Sequence, residues 1–254
     1  MRVTFLGVGE ACDESLPNTA VWLESGMGPS RRSILLDCGF TVPPEYWRRC
    51  SDADDLDGVW ISHFHGDHFF GLPALLLRFW EQKRTKSLAV VGQRETEERV
   101  RKAMELAYPG FLSKLAYPLA FYTVGTGETV QAADLMWTAA WSGHGQSNLA
   151  VRIHDGHSSV FYSGDGIPTD ETVRLAAGCD LVIHEAFRLQ DASPGHGTVM
   201  QCIDMARSAG VRRLALVHMQ RDERREREAE VLELTEQVSD FEVFLPRPGD
   251  VLNF

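Results

Sequence analysis

One short segment constrains this chain more than any other part of its sequence. Four side chains that can bind metal, His63, His65, Asp67 and His68, fall within six positions in the pattern H-x-H-x-D-H. The segment follows residues 58–62, an apolar run that predicts a β-strand. A lone histidine often serves only a local hydrogen bond, but imidazole and carboxylate groups clustered at a strand end are ligands that zinc, manganese or iron accept. In a tight loop, the first two histidines can face one metal while Asp67 and His68 face a neighbouring one.

The composition is that of a soluble globular protein, with 44% hydrophobic and 24% charged residues in 254, and it predicts a single domain over residues 1–254. A net charge of −11 disfavours extensive binding to nucleic acid or to an anionic membrane. A small anionic substrate remains compatible, because bound divalent cations reverse the local field. No apolar run approaches the ~20 residues that a membrane span needs. The five scattered cysteines, without a CxxC pair, predict a reducing, cytoplasmic location.

The hydrophobic pattern alternates short strands with helices along the whole chain. The predicted strands are residues 3–6, 20–23, 33–37, 58–62, 87–91, 119–124, 135–141, 148–153, 159–162, 181–184, 214–217, 241–245 and 251–254. The predicted helices are residues 72–83, 95–107, 170–177 and 198–208, and a last one that opens with the charged run 221–228. That run is interpreted as a solvated helix face with i,i+4 ion pairs rather than a nucleic-acid patch. Strands with one polar face, mixed with fully apolar strands, predict an α/β (α+β) architecture of two packed sheets with helices outside.

The H-x-H-x-D-H pattern resembles that of the metallo-β-lactamase superfamily. That family carries a later histidine, a bridging aspartate and a C-terminal histidine, each at the end of a strand. Here His144, Asp165 and His218 follow three of the predicted strands in that order. Asp37 also matches a family position, where it orients the ligand loop. The resemblance covers nearly the whole chain and implies a four-layer αββα sandwich of two mixed sheets flanked by helices.

The resemblance also implies how two divalent metal ions are held. One ion is assigned to His63, His65 and His144, the other to Asp67, His68 and His218, with Asp165 between them. Taken alone, His144 could be a surface-loop residue, Asp165 a turn residue and His218 a polar strand end, but their joint occurrence favours the metal site. Zinc is the expected metal, with manganese or iron as alternatives. The implied chemistry is hydrolysis by a metal-bound hydroxide, with Asp67 able to accept a proton from the water.

Two further segments resemble ribonuclease Z within this superfamily. Residues 184–187, His-Glu-Ala-Phe, resemble its His-Glu-Ala-Thr segment, and residues 196–198, His-Gly-Thr, resemble its His-Ser-Thr segment with Gly197 in place of serine. This resemblance makes His196 the candidate general acid and Glu185 its orienting partner. The plainer alternative is that His196 caps the helix that begins near Thr198. For His184, a structural and a functional role both stay open.

The chain departs from ribonuclease Z in the parts that recognise RNA. The family's flexible arm often lies between the later histidine and the bridging aspartate, but only 21 positions separate His144 from Asp165. The Pro-x-Lys-x-Arg-Asn type of loop is also absent from residues 12–19. We therefore expect a phosphodiesterase that cleaves a small or non-tRNA phosphodiester.

Other functions remain as alternatives. A lactonase, arylsulfatase or thioesterase could use the same metal site, so the expected partner is a small anionic or ester substrate. A di-iron redox enzyme fits less well, because the chain is too short for a flavodoxin domain and retains its histidines. A metal-free binding module is hard to reconcile with a full ligand set. The family often forms dimers, and a homodimer is compatible with the sequence.

Overall fold

The chain folds into two seven-stranded mixed β-sheets, and the computed structural model describes all residues 1–254. The strands are β1 (Arg2–Gly7), β2 (Ala20–Ser25), β3 (Arg32–Leu36), β4 (Gly58–Ile61), β5 (Leu88–Gly92), β6 (Leu119–Thr123), β7 (Thr129–Ala132), β8 (Leu135–Trp141), β9 (Leu149–His154), β10 (Ser159–Tyr162), β11 (Leu181–Glu185), β12 (Arg213–Val217), β13 (Glu242–Phe244) and β14 (Val251–Asn253). The helices are α1 (Val42–Trp47), α2 (Gly66–Phe69), α3 (Leu72–Glu81), α4 (Thr96–Ala107), α5 (Asp170–Ala176), α6 (Val199–Ala209) and α7 (Arg221–Glu236).

Each sheet combines antiparallel and parallel strands. The first has the order β14-β1-β2-β3-β4-β5-β6 and is parallel from β3 to β6. The second has the order β13-β12-β11-β10-β9-β8-β7 and is parallel from β10 to β13. Because β8 and β10 are both antiparallel to β9, the carboxyl ends of β8, β10 and β12 lie at one edge of the second sheet. This arrangement brings residues from distant parts of the sequence together at that edge.

The largest apolar cluster lies between the two sheets, and two further clusters lie between each sheet and the helices that cover its outer face. Twenty-four buried residues form the layer between the sheets, where Trp60 of β4 stacks on Trp137 of β8 with ring centroids 6.0 Å apart. All four residues of β4 are buried, as is typical of a parallel strand covered on both faces. The four-layer αββα sandwich predicted from the resemblance is therefore confirmed.

Local sequence explains where several helices begin and end. The hydroxyl of Thr198 accepts a hydrogen bond from the backbone of Gln201 and caps α6, so the cap is Thr198 and not His196. Gly210 ends the same helix in the left-handed conformation, φ 61°, which glycine adopts without strain. The charged run at residues 221–228 forms the start of α7 with i,i+4 pairs such as Glu223–Arg227, as predicted.

Helices α1 and α2 and strand β7 were not predicted, and α2 forms where the sequence predicted a tight loop. Helix α1 carries Pro43 and Pro44 in its first turn, where proline costs no intrahelical hydrogen bond, although consecutive prolines usually indicate a loop. Strand β7 has four residues, of which one is buried, so its hydrophobic pattern is weak. None of the helices has the length and apolar character needed to span a membrane.

Candidate metal centre

Seven side chains that can bind metal ions lie close together between the edges of the two sheets. The H-x-H-x-D-H segment follows β4, and its last part forms the single-turn helix α2. His144, Asp165 and His218 each lie just beyond the carboxyl end of a strand in the second sheet, after β8, β10 and β12 respectively. The structure thus brings all seven predicted ligands to one place.

The first group of possible ligand atoms comes from His63, His65, His144 and Asp165, and these atoms all lie within 4.8 Å of one another. His65 Nδ1 is 3.3 Å from His144 Nε2, and His63 Nε2 is 3.7 Å from Asp165 Oδ2. His63 and Asp165 are buried, whereas His65 is exposed. This group is therefore open to solvent on one side, as a catalytic metal requires.

The second group consists of Asp67, His68 and His218, which also lie within 4.8 Å of one another. Asp67 Oδ2 is 3.2 Å from both His68 Nε2 and His218 Nε2. Asp165 Oδ1 approaches the same two nitrogens, at 3.2 Å from His68 and 3.5 Å from His218. One oxygen of Asp165 thus faces each group, which is the arrangement expected of a carboxylate that bridges two ions.

The polar atoms at this centre fit a pair of cations. His63 Nε2 is buried and has no hydrogen-bond partner, which is costly for a polar atom removed from water. Asp165 Oδ1 is also buried and faces only the Nε2 atoms of His68 and His218. A divalent cation beside each would satisfy both atoms. Neutral imidazole and ionised carboxylate are ligands that zinc accepts, so the residues present fit a dinuclear site.

The electrostatics of the cluster favour positive charge. Burial opposes the charged form of His68, but Asp165 and Asp37 outweigh it and raise the pKa of His68 well above its ordinary value. Burial likewise opposes charge on His218, yet Asp165 and Asp67 raise its pKa to about 9. In the opposite direction, burial lowers the pKa of His63, which favours the neutral form that binds metal.

Hydrogen bonds from outside the cluster fix the orientation of its histidines. His68 Nδ1 donates to Asp37 Oδ2 at 2.7 Å, and His144 Nδ1 donates to the carbonyl oxygen of Gly195 at 2.7 Å. Each bond leaves the Nε2 atom facing the cluster. The predicted orienting position of Asp37 is found here, and its backbone has φ 60°, while His218 has φ 56°.

Glu185 and His196 form a pair at the rim of the centre. Glu185 Oε1 lies 3.1 Å from His196 Nδ1 and also accepts the backbone N–H of Gly166 at 2.7 Å. Burial lowers the pKa of His196, but the hydrogen bond and charge of Glu185 outweigh it, so that the pKa lies above its ordinary value. One ring nitrogen of His196 lies within 4.8 Å of possible ligand atoms of Asp165 and His218. The two segments similar to ribonuclease Z therefore meet beside the metal cluster.

His184 lies beneath this pair and is fully buried. Its Nδ1 is 2.8 Å from the carbonyl oxygen of Glu185 and 3.4 Å from Sγ of Cys202. The side chain does not reach the metal cluster, so the geometry gives His184 a supporting position.

Phe187 is a site residue that the sequence did not reveal. Its ring stacks on the His196 imidazole, with centroids 4.5 Å apart and planes at 24°. It stands where the similar segment of ribonuclease Z has threonine. That difference was the only feature of the sequence that could have indicated a role for Phe187 at the site, since apolar aromatic residues are usually interpreted as core residues.

Two sheets packed between helices, with histidine and aspartate ligands at one edge, define the class of metallo-β-lactamase-fold proteins. The model of the family described as beta-lactamase superfamily domain matches residues 32–219, and the chain belongs to this superfamily. Its relatives include ribonuclease Z of Picrophilus torridus, 26% identical with 85% of each chain covered. Ribonuclease Z of Methanothermobacter thermautotrophicus is 25% identical, with 94% of this chain and 92% of the relative covered. The resemblance to ribonuclease Z is thereby confirmed as similarity of sequence.

Solved structures support the fold. The metallo-β-lactamase-fold protein YhfI from Bacillus subtilis superposes with a TM-score of 0.81 at 22% identity, covering 99% of this chain and 98% of that one. The short form of human tRNase Z superposes with a TM-score of 0.77 at 23% identity, covering 100% of this chain and 99% of that one. At these identities the likeness concerns the fold alone.

Proposed function

We propose that this protein is a metal-dependent phosphodiesterase, similar in chemistry to ribonuclease Z, that cleaves a small or non-tRNA phosphodiester. The proposal depends on the hydrogen bond between Glu185 and His196. This pair lies beside the carboxylate of Asp165 and the imidazole of His218. A phosphodiester needs a proton for its leaving oxygen, and an imidazole held at this place can supply it.

Some residues of the site would bind the metal ions, and others would transfer protons. Two divalent ions, held by the two ligand groups, would lower the pKa of water and stabilise negative charge on the phosphate. Asp67, which lies against His68 and His218, would accept a proton from the attacking water. His196 Nδ1 is occupied by Glu185, so its Nε2 atom would donate a proton to the leaving oxygen.

Three observations support a small substrate. The 20 residues between His144 and Asp165 are largely filled by β9 and β10 and the turn that joins them, which leaves no arm at that place. The alignment with the Methanothermobacter ribonuclease Z runs over 292 positions, more than the 254 residues of this chain, so the relative carries segments that this chain lacks. The net charge of −11 opposes a long polyanion.

The proposal is tested with a panel of substrates and the protein loaded with zinc or manganese. Bis-p-nitrophenyl phosphate represents phosphodiesters, while p-nitrophenyl acetate, p-nitrophenyl sulfate, a thioester and a homoserine lactone represent the other ester hydrolases of this fold. For each substrate, kcat/KM is divided by the rate constant of the uncatalysed hydrolysis, because carboxylic esters are intrinsically more reactive than phosphodiesters. We expect this ratio to be highest for the phosphodiester. A higher ratio for any of the other esters would refute phosphodiesterase function and identify the ester class instead.

A further inference from the structure

The metal ligands are divided between the two sheets. The histidines and aspartate of the H-x-H-x-D-H segment follow β4 of the first sheet, whereas Asp165 and His218 follow β10 and β12 of the second. The distances within the candidate centre therefore depend on how the two sheets are held relative to each other at this edge.

Tyr162 makes a direct polar link between the sheets. It is the last residue of β10, three positions before Asp165, and its side chain is fully buried. Its hydroxyl donates to Asp37 Oδ2 at 2.8 Å, and Asp37 follows β3 of the first sheet. The ring itself belongs to the apolar layer between the sheets.

The same carboxylate oxygen holds a metal ligand. Asp37 Oδ2 accepts His68 Nδ1 at 2.7 Å and Ser62 Oγ at 2.7 Å, while Oδ1 accepts the backbone N–H of Ser62 at 2.8 Å. Tyr162 and His68 thus donate hydrogen bonds to the same carboxylate oxygen. Such outer partners fix the orientation of a metal-binding imidazole and raise its basicity.

We propose that the Tyr162 hydroxyl is a positioning group for the metal centre, which fixes Asp37 and thereby directs His68 Nε2 toward Asp165. The inference rests on the metal centre of the proposed function but not on the identity of the substrate. Packing of the ring between the sheets is a separate contribution, and a phenylalanine retains it. Replacing tyrosine with phenylalanine therefore isolates the hydroxyl.

The test compares Tyr162→Phe with a matched control, Tyr117→Phe. Tyr117 is also buried, and its hydroxyl donates to the carbonyl oxygen of Leu76 at 2.9 Å, in the apolar cluster on the outer face of the first sheet. Zinc affinity is measured by titration against a chromogenic chelator, and the cobalt form is examined by its visible spectrum. We expect Tyr162→Phe to weaken binding of the ion held by Asp67, His68 and His218 by up to about tenfold, the lower end of the range for loss of a ligand's direct partner. We also expect it to alter the cobalt spectrum, while Tyr117→Phe changes neither property.

Several results would overturn the inference. One is a Tyr162→Phe variant that binds zinc with wild-type affinity. Another is an equal loss of zinc affinity in both variants, since a general packing defect would affect both. Thermal unfolding of both variants checks that they fold. A wild-type protein that binds no divalent ion refutes this inference together with the proposed function. A wild-type protein that binds two ions but cleaves no phosphodiester refutes only the proposed function.

Discussion

His196 Nδ1 lies 3.1 Å from Oε1 of Glu185, a carboxylate with no exposed surface. The bond fixes the ring plane and keeps a proton on Nδ1, because a carboxylate can only accept. Burial opposes charge on the ring, but Glu185 raises the pKa of His196, which favours the imidazolium form that carries a second proton on Nε2. About a fifth of the His196 side chain, 21%, is exposed, and one of its ring nitrogens lies within 4.8 Å of possible ligand atoms of Asp165 and His218. General acid catalysis requires a proton donor that is fixed in orientation and still accessible to the substrate.

Replacing His196 with alanine should impair most strongly the reactions that need a leaving-group proton. For an alkyl phosphodiester we expect kcat to fall by about 10²–10⁴-fold. The fall should be much smaller for bis-p-nitrophenyl phosphate, because p-nitrophenolate leaves as a stable anion. The measurement is kcat for both substrates with metal content determined in parallel, and His157→Ala, on the exposed turn between β9 and β10, serves as the control. Equal losses on both substrates would contradict the role of general acid.

Phe187 should matter through its contact with His196. Its ring stacks on the imidazole at 4.5 Å, and Phe187→Ala removes that support. We expect kcat for the alkyl phosphodiester to fall about tenfold, because small displacements of a catalytic group are costly. Phe187→Tyr retains the ring and should keep kcat near the wild-type value. If the alanine and tyrosine variants had the same kcat, the stacking would have no role in positioning.

Four of the seven candidate ligands could be predicted from the sequence itself, because the spacing of the H-x-H-x-D-H segment after a predicted strand is a local feature. His144, Asp165 and His218 were predicted through the resemblance to the metallo-β-lactamase superfamily, which places each of them after a strand. The pairing of Glu185 with His196 was also predicted, but only through the resemblance of two short segments to ribonuclease Z.

The contacts between the sheets could not be predicted in the same way. The hydroxyl of Tyr162 reaches Asp37 across 125 positions of sequence, and Phe187 covers His196 only because the chain after β11 turns beside the metal cluster. Both side chains have the pattern of ordinary core residues. Their functional contacts depend on how the layers pack, which hydrophobic periodicity does not specify.

Removal of metal should abolish activity and lower stability together. Two equivalents of zinc returned to the chelator-treated protein should restore hydrolysis. At a free zinc concentration a hundred times the Kd, binding should contribute about 2.7 kcal/mol to stability, which corresponds to roughly 5–10 °C in Tm. The variant Asp165→Ala, which loses the carboxylate between the two ligand groups, should show a much smaller rise in Tm when zinc is added. Differential scanning fluorimetry with and without zinc measures the effect, and an unchanged Tm in the wild type would contradict the metal centre.

The last prediction concerns stability at low pH and a carboxylate far from the metals. Asp55 accepts Arg31 Nη1 at 2.6 Å, Ser33 Oγ at 2.7 Å and the Tyr46 hydroxyl at 3.3 Å. Burial alone would raise the pKa of Asp55, but these hydrogen bonds and the charge of Arg31 outweigh it and lower that pKa. Asp55→Asn should therefore reduce the free energy of unfolding at pH 7 by about 1.5–3 kcal/mol, the usual range for hydrogen bonds to a charged group.

The pH dependence of that difference follows from the direction of the shift. A carboxyl with a depressed pKa in the folded state stabilises fully above its unfolded pKa of about 3.9, and the contribution disappears as the pH falls through the folded value. The gap in stability between the wild type and Asp55→Asn should thus be constant from pH 7 to about pH 5 and shrink below pH 4. Urea unfolding at several pH values measures it, with Asp191→Asn at an exposed position as the control. A gap that widens on acidification would show that the hydrogen bonds to Asp55 do not depend on its negative charge.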